Sequence, residues 1–426
     1  MEEEKYGKLL EKKEEDKEKN FICIYILILI PFTLCFITSI YLLLTIKPSD
    51  ETIKKFKGGF IENWSEYYGI KLLNLSYSND DKIKNTFAKG EINFDSKLNS
   101  VNLNLDYEKI PNNNYDIYIP YSSLENKKNK NGIFFFLHGG FYISGNKKEI
   151  EYLCIRYAKL GYITVNIEYS LLTNNNNIFR IMDEISSAIE STKKKLEELN
   201  FENLVCCLGG ISTGAHLALL YSYWLKSNSK IPIEFVINFS GNLNLDLNNF
   251  YINKGKNILE GNLTLNQVEN YKTNKSIVPL SYHIEWIKYI NAINGNIFKD
   301  NELNKALNRT SINFKSETYK SLEYIINKTS IIKYINKDTI PTLSLYGGKD
   351  KDIGILHYFI LKEKLKENNV EHYFSYMKYS DHKLYPENEE DLNKTRAFHS
   401  KILSYAKNIS IRYNNSKLKK KIYIYI

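Results

Sequence analysis

The stretch Leu204-Val205-Cys206-Cys207-Leu208-Gly209-Gly210-Ile211-Ser212-Thr213-Gly214-Ala215-His216 decides how this chain is read. An apolar run passes into Gly-x-Ser-x-Gly, and a helix-forming run, Ala215-His216-Leu217-Ala218-Leu219-Leu220, follows at once. That succession is the sequence form of a nucleophile elbow, a strand-to-helix turn that leaves a serine hydroxyl exposed at the top of a sheet. The turn is tight, and glycines two positions to either side of the serine let the backbone fold back. Gly-x-Ser-x-Gly alone is weak evidence, because glycine and serine are common in loops. The strand before it and the helix after it make Ser212 a candidate nucleophile.

The rest of the chain permits that reading. Its 426 residues are 43% hydrophobic and 14% aromatic, enough for one large domain with extensions. The formal charge of +9 is spread among abundant Asn, Ile and Tyr, with no Arg-rich stripe, so no nucleic-acid partner is expected. Lys417-Leu418-Lys419-Lys420-Lys421 reads as a solvated charge run that could touch anionic lipid. Five cysteines, with no Cys-x-x-Cys and no Cys/His spacing, suggest neither a disulfide framework nor a zinc site.

Residues 1–20 form a charged tail, and Phe21 to Ile46 is almost wholly apolar. That run of about 26 residues would span about 39 Å as a helix, enough to cross a bilayer with some tilt. Pro31 is tolerated in such a helix. The start is mixed in sign and the exit, Leu43-Leu44-Thr45-Ile46-Lys47-Pro48, lacks small residues, so a retained anchor is favoured over a cleaved signal peptide. A single-pass membrane protein with a lumenal or exoplasmic catalytic domain follows as the expectation. The sequons, Asn63-Trp64-Ser65 among them, arise by chance in so Asn-rich a chain, and Asn238-Phe239-Ser240 falls in an expected buried strand.

Residues 47–100 read as a polar linker, and from Val101 strands and helices alternate. Val101–Leu105 and Tyr115–Pro120 both alternate apolar and polar side chains, which predicts a hairpin at a sheet edge. Gly132–Leu137 is continuously apolar, as expected of a strand covered on both faces. Helices are expected near 149–160, 178–199, 214–226, 355–367 and 391–407. Further strands are expected at 162–167, 204–208, 235–239, 342–346 and 370–377. The rhythm predicts an α/β domain over 101–410, with a mostly parallel central sheet and helices on both faces. It breaks between about 243 and 329, read as an insertion placed to cap the strands' C-terminal edge, and 411–426 reads as a basic tail.

A serine nucleophile needs a base, usually histidine. Of the seven histidines, His216 lies one turn into its own helix, His283 in the insertion, and His357, His372 and His399 within elements. His382, in Tyr379-Ser380-Asp381-His382-Lys383, follows the last strand at the edge where the elbow opens, and is the candidate base. An exposed loop histidine is the plain alternative. The acid that orients a histidine should also follow a strand. In Leu345-Tyr346-Gly347-Gly348-Lys349-Asp350-Lys351-Asp352 the favoured residue is Asp350, with Asp352 in reserve; either could instead be a helix N-terminal acid. Two N–H groups should meet the developing oxyanion. Thr213, the residue after the nucleophile, supplies one, and the Leu137-His138-Gly139-Gly140-Phe141 loop supplies Gly139 and Gly140, with His138 as a brace. This chemistry requires neither a metal nor an organic cofactor.

From about Tyr115 to His382 the chain resembles the His-Gly-Gly esterases of the α/β-hydrolase superfamily, in which the triad runs Ser, Asp, His along the chain. That group spans hormone-sensitive-lipase-like carboxylesterases, feruloyl-esterase-like enzymes, kynurenine formamidases and prenylcysteine methylesterases. Tyr115–Pro120 is similar to their opening strand, Leu137–Lys147 to their oxyanion loop, Ser212–Ala218 to their elbow helix, and Phe239-Ser240-Gly241 and Pro341-Thr342-Leu343 to later landmarks. The resemblance implies an α/β-hydrolase fold; the expected cap insertion and the one expected N-terminal transmembrane helix have no counterpart in it. It implies ester hydrolysis through an acyl-enzyme, and the expected anchor beside a capped, aromatic-rich site favours a small hydrophobic or lipid-derived ester. An amidase or formamidase with the same triad, or a non-catalytic binding protein of the same fold, is the alternative. Thr213 stands where the family usually has alanine and Phe141 where lipase-like members have a third glycine. Glu168-Tyr169-Ser170 replaces a frequent Tyr-Arg, so a supporting ion pair is expected to be missing.

Overall fold

Ile133-Phe134-Phe135-Phe136-Leu137 is buried at every position and forms a strand near the middle of the sheet. Its side chains alternate between two aromatic and aliphatic layers. Ile133, Phe135 and Leu137 join one apolar cluster, while Phe134 and Phe136 stack on Tyr157 at ring-centroid distances of 4.7 and 5.6 Å. A strand with an apolar layer on each face can only be satisfied by helices on both sides.

The computed structural model describes residues 70–76, 114–125, 132–172, 177–243 and 315–424, with isolated positions between 284 and 313. All of these belong to one compact unit, Tyr68–Ile426. The strands are β1 (Ile70–Ser76), β2 (Asn114–Pro120), β3 (Ile133–Leu137), β4 (Ile163–Ile167), β5 (Cys206–Ile211), β6 (Ile233–Phe239), β7 (Thr342–Gly347) and β8 (His372–Met377). They lie in the order β1-β2-β4-β3-β5-β6-β7-β8. β2 is antiparallel to β1 and to β4, and β4 through β8 pair in parallel. The described helices are α1 (Tyr121–Glu125), α2 (Glu151–Lys159), α3 (Ile178–Glu198), α4 (Thr213–Trp224), α5 (Glu317–Thr329), α6 (Leu356–Glu367) and α7 (Glu389–Ile424).

Residues of α3, α4, α5 and α6 fill the apolar cluster on one face. On the other, Tyr157 of α2 meets Phe134, and Tyr405 and Phe398 of α7 meet Phe235 and Phe239. Each Phe so buried contributes about 1.5–3 kcal/mol. α4 is buried almost all round, as its uniformly apolar sequence demands.

The expected parallel α/β order is present, with two differences at its margins. The strand beside β2 is β1, drawn from inside 47–100, so the sheet begins at Ile70 and not at 101. The buried β2 must have its outer N–H and C=O groups paired, and Ile70–Ser76 pairs them across seven residues. The Val101–Leu105 hairpin lies outside the described residues. The final helix does not stop near 407 but continues to Ile424, so most of the basic tail is helical. Most of the insertion also lies outside the described residues. Its last part, α5, packs Tyr319, Leu322 and Ile326 into the core, and Ile331 N–H donates to the Leu243 carbonyl at 3.0 Å, so its two ends meet. The tail 1–20 and the apolar run 21–46 are likewise outside. Among the described residues no helix is long and apolar enough to cross a membrane. Cys154, Cys206 and Cys207 are free and buried, and burial pushes their thiols up.

Candidate active site

β5 ends at Ile211 and α4 begins at Thr213, so Ser212 is the whole of the turn between them. Its backbone sits at φ 56°, ψ −119°, a region that costs a non-glycine residue about 1–3 kcal/mol. Surrounding contacts hold it there. Ser212 N–H donates to the Phe239 carbonyl at 2.8 Å, and its own carbonyl accepts from His216 N–H at 3.1 Å. A Cβ on Gly210 would collide with the Gly214 backbone, and one on Gly214 with the carbonyl oxygens of Leu137 and His138. The elbow's glycines are therefore dictated by backbone packing against the end of β3. Ser212 is 5% exposed at the N-terminus of α4, where the helix dipole favours negative charge.

Two strands away, the loop after β7 carries Asp350 and the loop after β8 carries His382. Main-chain bonds tie the loops together: Gly348 N–H to the Met377 carbonyl at 2.7 Å and Lys349 N–H to the Ser380 carbonyl at 2.9 Å. His382 Nδ1–H donates to Asp350 Oδ2 at 2.7 Å. The other Asp350 oxygen accepts from the N–H groups of Asp352 and Ile353 at 2.9 and 2.8 Å. Asp352 is exposed and Asp350 is buried, so of the two carboxylates it is Asp350 that meets the imidazole. Asp350, Asp352 and His382 are close enough to share an ion, although both oxygens of Asp350 are already committed. Burial works to lower the pKa of His382, but the Asp350 hydrogen bond and charge, helped by Asp352 and Asp381, outweigh it and raise the imidazole above its ordinary value. Among the described residues no hydrogen bond joins Ser212 to His382.

The third part is the turn after β3. Gly139 packs on the elbow so closely that a Cβ there would lie 3.2 Å from Ser212 Cβ. The Gly140 carbonyl accepts from Ile143 N–H at 3.1 Å and from Ser144 N–H and Oγ at 2.9 Å, and the intervening Phe141 and Tyr142 take φ of 52° and 66°. The N–H groups of Gly139, Gly140 and Thr213 have no acceptor among the described residues, as donors meant for a ligand should. His138 is buried, donates from Nδ1 to the Gly139 carbonyl at 2.8 Å and stacks on Tyr169, whose hydroxyl donates to the His138 carbonyl. Burial lowers the His138 pKa, so it acts as a neutral brace.

The support expected to be missing here is supplied differently. Glu168 accepts Lys147 N–H at 2.8 Å, the Lys147 ammonium pairs with Asp116 at 2.7 Å, and Asn166 donates to the Lys147 carbonyl at 2.7 Å. The far end of the turn is thus anchored to β2 and β4. Sequence reasoning also missed the buried polar cluster beside the site. Asn238 joins Ser344, Tyr346 and Gly241 and fixes the exit of β6 against β7. The sequon at Asn238 is accordingly buried. Among the other described histidines, His399 bonds Tyr157 at 2.7 Å and His372 bonds the Val370 carbonyl at 2.7 Å, both away from Ser212's turn.

A family model described as BD-FAE matches residues 115–365, more than half of the chain. No curated protein matches. Among solved structures, a bacterial heroin esterase is 13% identical, covers 82% of this chain and 90% of its own, and superposes with a TM-score of 0.50. Esterase B from Lactobacillus rhamnosis, in a C6-C4 SN3 inhibited form, is 11% identical over 85% of this chain and 99% of its own, with a TM-score of 0.49. A Pyrobaculum calidifontis esterase is 15% identical over 70% of this chain and 81% of its own, at 0.46. At 13% identity the likeness to the heroin esterase speaks to fold alone.

Proposed function

The chain belongs to the BD-FAE family of α/β-hydrolase-type esterases, and on that premise we propose that it cleaves carboxylic esters with Ser212, His382 and Asp350. His382 takes the Ser212 proton as the serine oxygen attacks the ester carbonyl. The N–H groups of Gly139, Gly140 and Thr213 hold the oxyanion, each donor of this kind being worth about 3 kcal/mol of barrier. His382 then protonates the leaving alcohol, and water repeats the sequence on the acyl-enzyme to release the acid. Asp350 keeps the Nδ1 proton in place, so that Nε2 is the basic nitrogen, and stabilises the imidazolium that forms.

The observation that carries this reading is the 2.7 Å His382–Asp350 hydrogen bond on the same sheet edge as a strained serine elbow. A serine–histidine bond often forms only once substrate arrives. Phe141, 45% exposed on the turn that carries the oxyanion donors, and its exposed neighbour Ile143 favour a small hydrophobic ester. The test is hydrolysis of p-nitrophenyl esters of increasing acyl length, together with fluorophosphonate labelling. Wild type should turn over and become covalently labelled, and Ser212→Ala should do neither. A chain that binds esters without labelling would be a non-catalytic relative, and unchanged turnover in Ser212→Ala would sink the assignment.

A further inference from the structure

His216 is fully buried and joins three parts of the molecule that are far apart in sequence. It lies one turn into α4 and donates its own N–H to the carbonyl of Ser212. Its Nε2 lies 3.0 Å from the Thr329 carbonyl, which can only accept, so Nε2 carries the proton. Nδ1 is then an acceptor, and the Tyr142 hydroxyl donates to it at 2.7 Å. Burial lowers the imidazole's pKa to about 4, which keeps this neutral pattern in place through the physiological range.

Tyr142 stands two residues after Gly140 and is itself buried. With Phe141 it is one of two consecutive non-glycine residues at positive φ, a conformation that relaxes unless something holds it. Its carbonyl is held by Leu172 N–H at 2.7 Å, and its side chain ends on His216. Thr329 closes α5 at the point where the insertion returns, two residues before Ile331 bonds to Leu243. A second buried histidine, His357 of α6, accepts Leu243 N–H at 3.3 Å where the insertion departs.

We infer that His216 is a positioning residue for the oxyanion hole: through Tyr142 it holds the Gly139–Gly140 turn in register with Ser212, and through Thr329 it ties that register to the stem of the insertion. The inference rests on the reaction proposed above. It gives the imidazole a task separate from proton transfer, since His216 touches no reacting atom.

The full chain is assayed with p-nitrophenyl butyrate as wild type, Tyr142→Phe, His216→Leu and His216→Asn. Tyr142→Phe removes one hydroxyl from a residue that otherwise keeps its ring, and should lower kcat about tenfold or more while KM stays nearly constant. His216→Leu should match that loss. His216→Asn places an amide oxygen near the position of Nδ1, so it offers Tyr142 an acceptor again and should recover most of kcat, although the Thr329 contact is lost. A purely structural role would move the thermal midpoint and spare the split between kcat and KM. Wild-type kcat in Tyr142→Phe, or His216→Asn as slow as His216→Leu, would overturn the inference. Fluorophosphonate labelling separates the two failures. If wild type is not labelled, the reaction and this inference fall together; if wild type and Tyr142→Phe are labelled equally fast, the inference alone falls.

Discussion

Around Ser212 the chain is fixed by main-chain packing alone, whereas around His382 main-chain packing is joined by a charged side-chain hydrogen bond. The elbow, the end of β3 and the first turn of α4 approach so closely that Gly210 and Gly214 have no room for a Cβ. The serine's geometry there follows from backbone contacts. Across the sheet the two loops are packed as closely, since a Cβ on Gly347 would meet the Asp381 carbonyl oxygen and one on Gly348 the Lys378 carbonyl oxygen. There, however, one 2.7 Å bond between side chains joins Asp350 to His382. Both halves of the site are thus sensitive to added atoms, and the second is sensitive to removed charge as well.

Three measurements would break or sharpen that contrast. The largest effect is expected on the charged side. Asp350→Asn should leave the fold intact, yet lower kcat by about four orders of magnitude, as the corresponding change does in a Ser-His-Asp protease, because the wrong tautomer of His382 becomes favoured. A small loss would show that Asp350 does not orient the base. On the packed side, Gly214→Ala should cost about 3 kcal/mol or more of stability, since the new methyl meets two carbonyl oxygens that belong to the sheet. A thermal midpoint like that of the wild type would show that the elbow can yield.

The smallest effect concerns pH. The base must be neutral to accept a proton, so kcat/KM should rise with pH through a midpoint above histidine's ordinary value, because the folded His382 is raised. Asp352→Asn should move that midpoint slightly downward, and less at high salt, since Asp352 acts on His382 only through an exposed charge. Stability runs the other way. The contribution from protonated His382 is fully present below the unfolded histidine pKa and is lost as pH rises through the higher folded one. A midpoint at or below about 6.5 would contradict the Asp350 contact.

What the sequence made legible follows the same division. The elbow could be read because its requirements are local: a strand, glycines at fixed offsets and a helix. The parallel strands could be read because burial on both faces makes them continuously apolar. β1 could not, because Ile70–Ser76 pairs with a strand more than thirty residues downstream and its edge position leaves only a mixed pattern. A nearer alternating segment, Val101–Leu105, looked the better partner. Nor could the support around Lys147, where Glu168 and Asp116 replace an arginine through contacts that no short motif encodes. His216 could be placed one turn into its helix, but its partners Tyr142 and Thr329 are 74 and 113 residues away.

The bond between Ile331 and Leu243 has a consequence for how such a molecule can diverge. Where a segment leaves the sheet and returns beside its departure point, length itself is a weak constraint, because closing a longer loop costs only about 0.6 kcal/mol for each doubling. Between that departure point and α5, Ile287, Ile290 and Leu303 are buried in the core cluster, so any exchange of the segment has to keep those apolar contacts. The stem fixes where the segment begins and ends, and the core side chains between those points set what a replacement must supply.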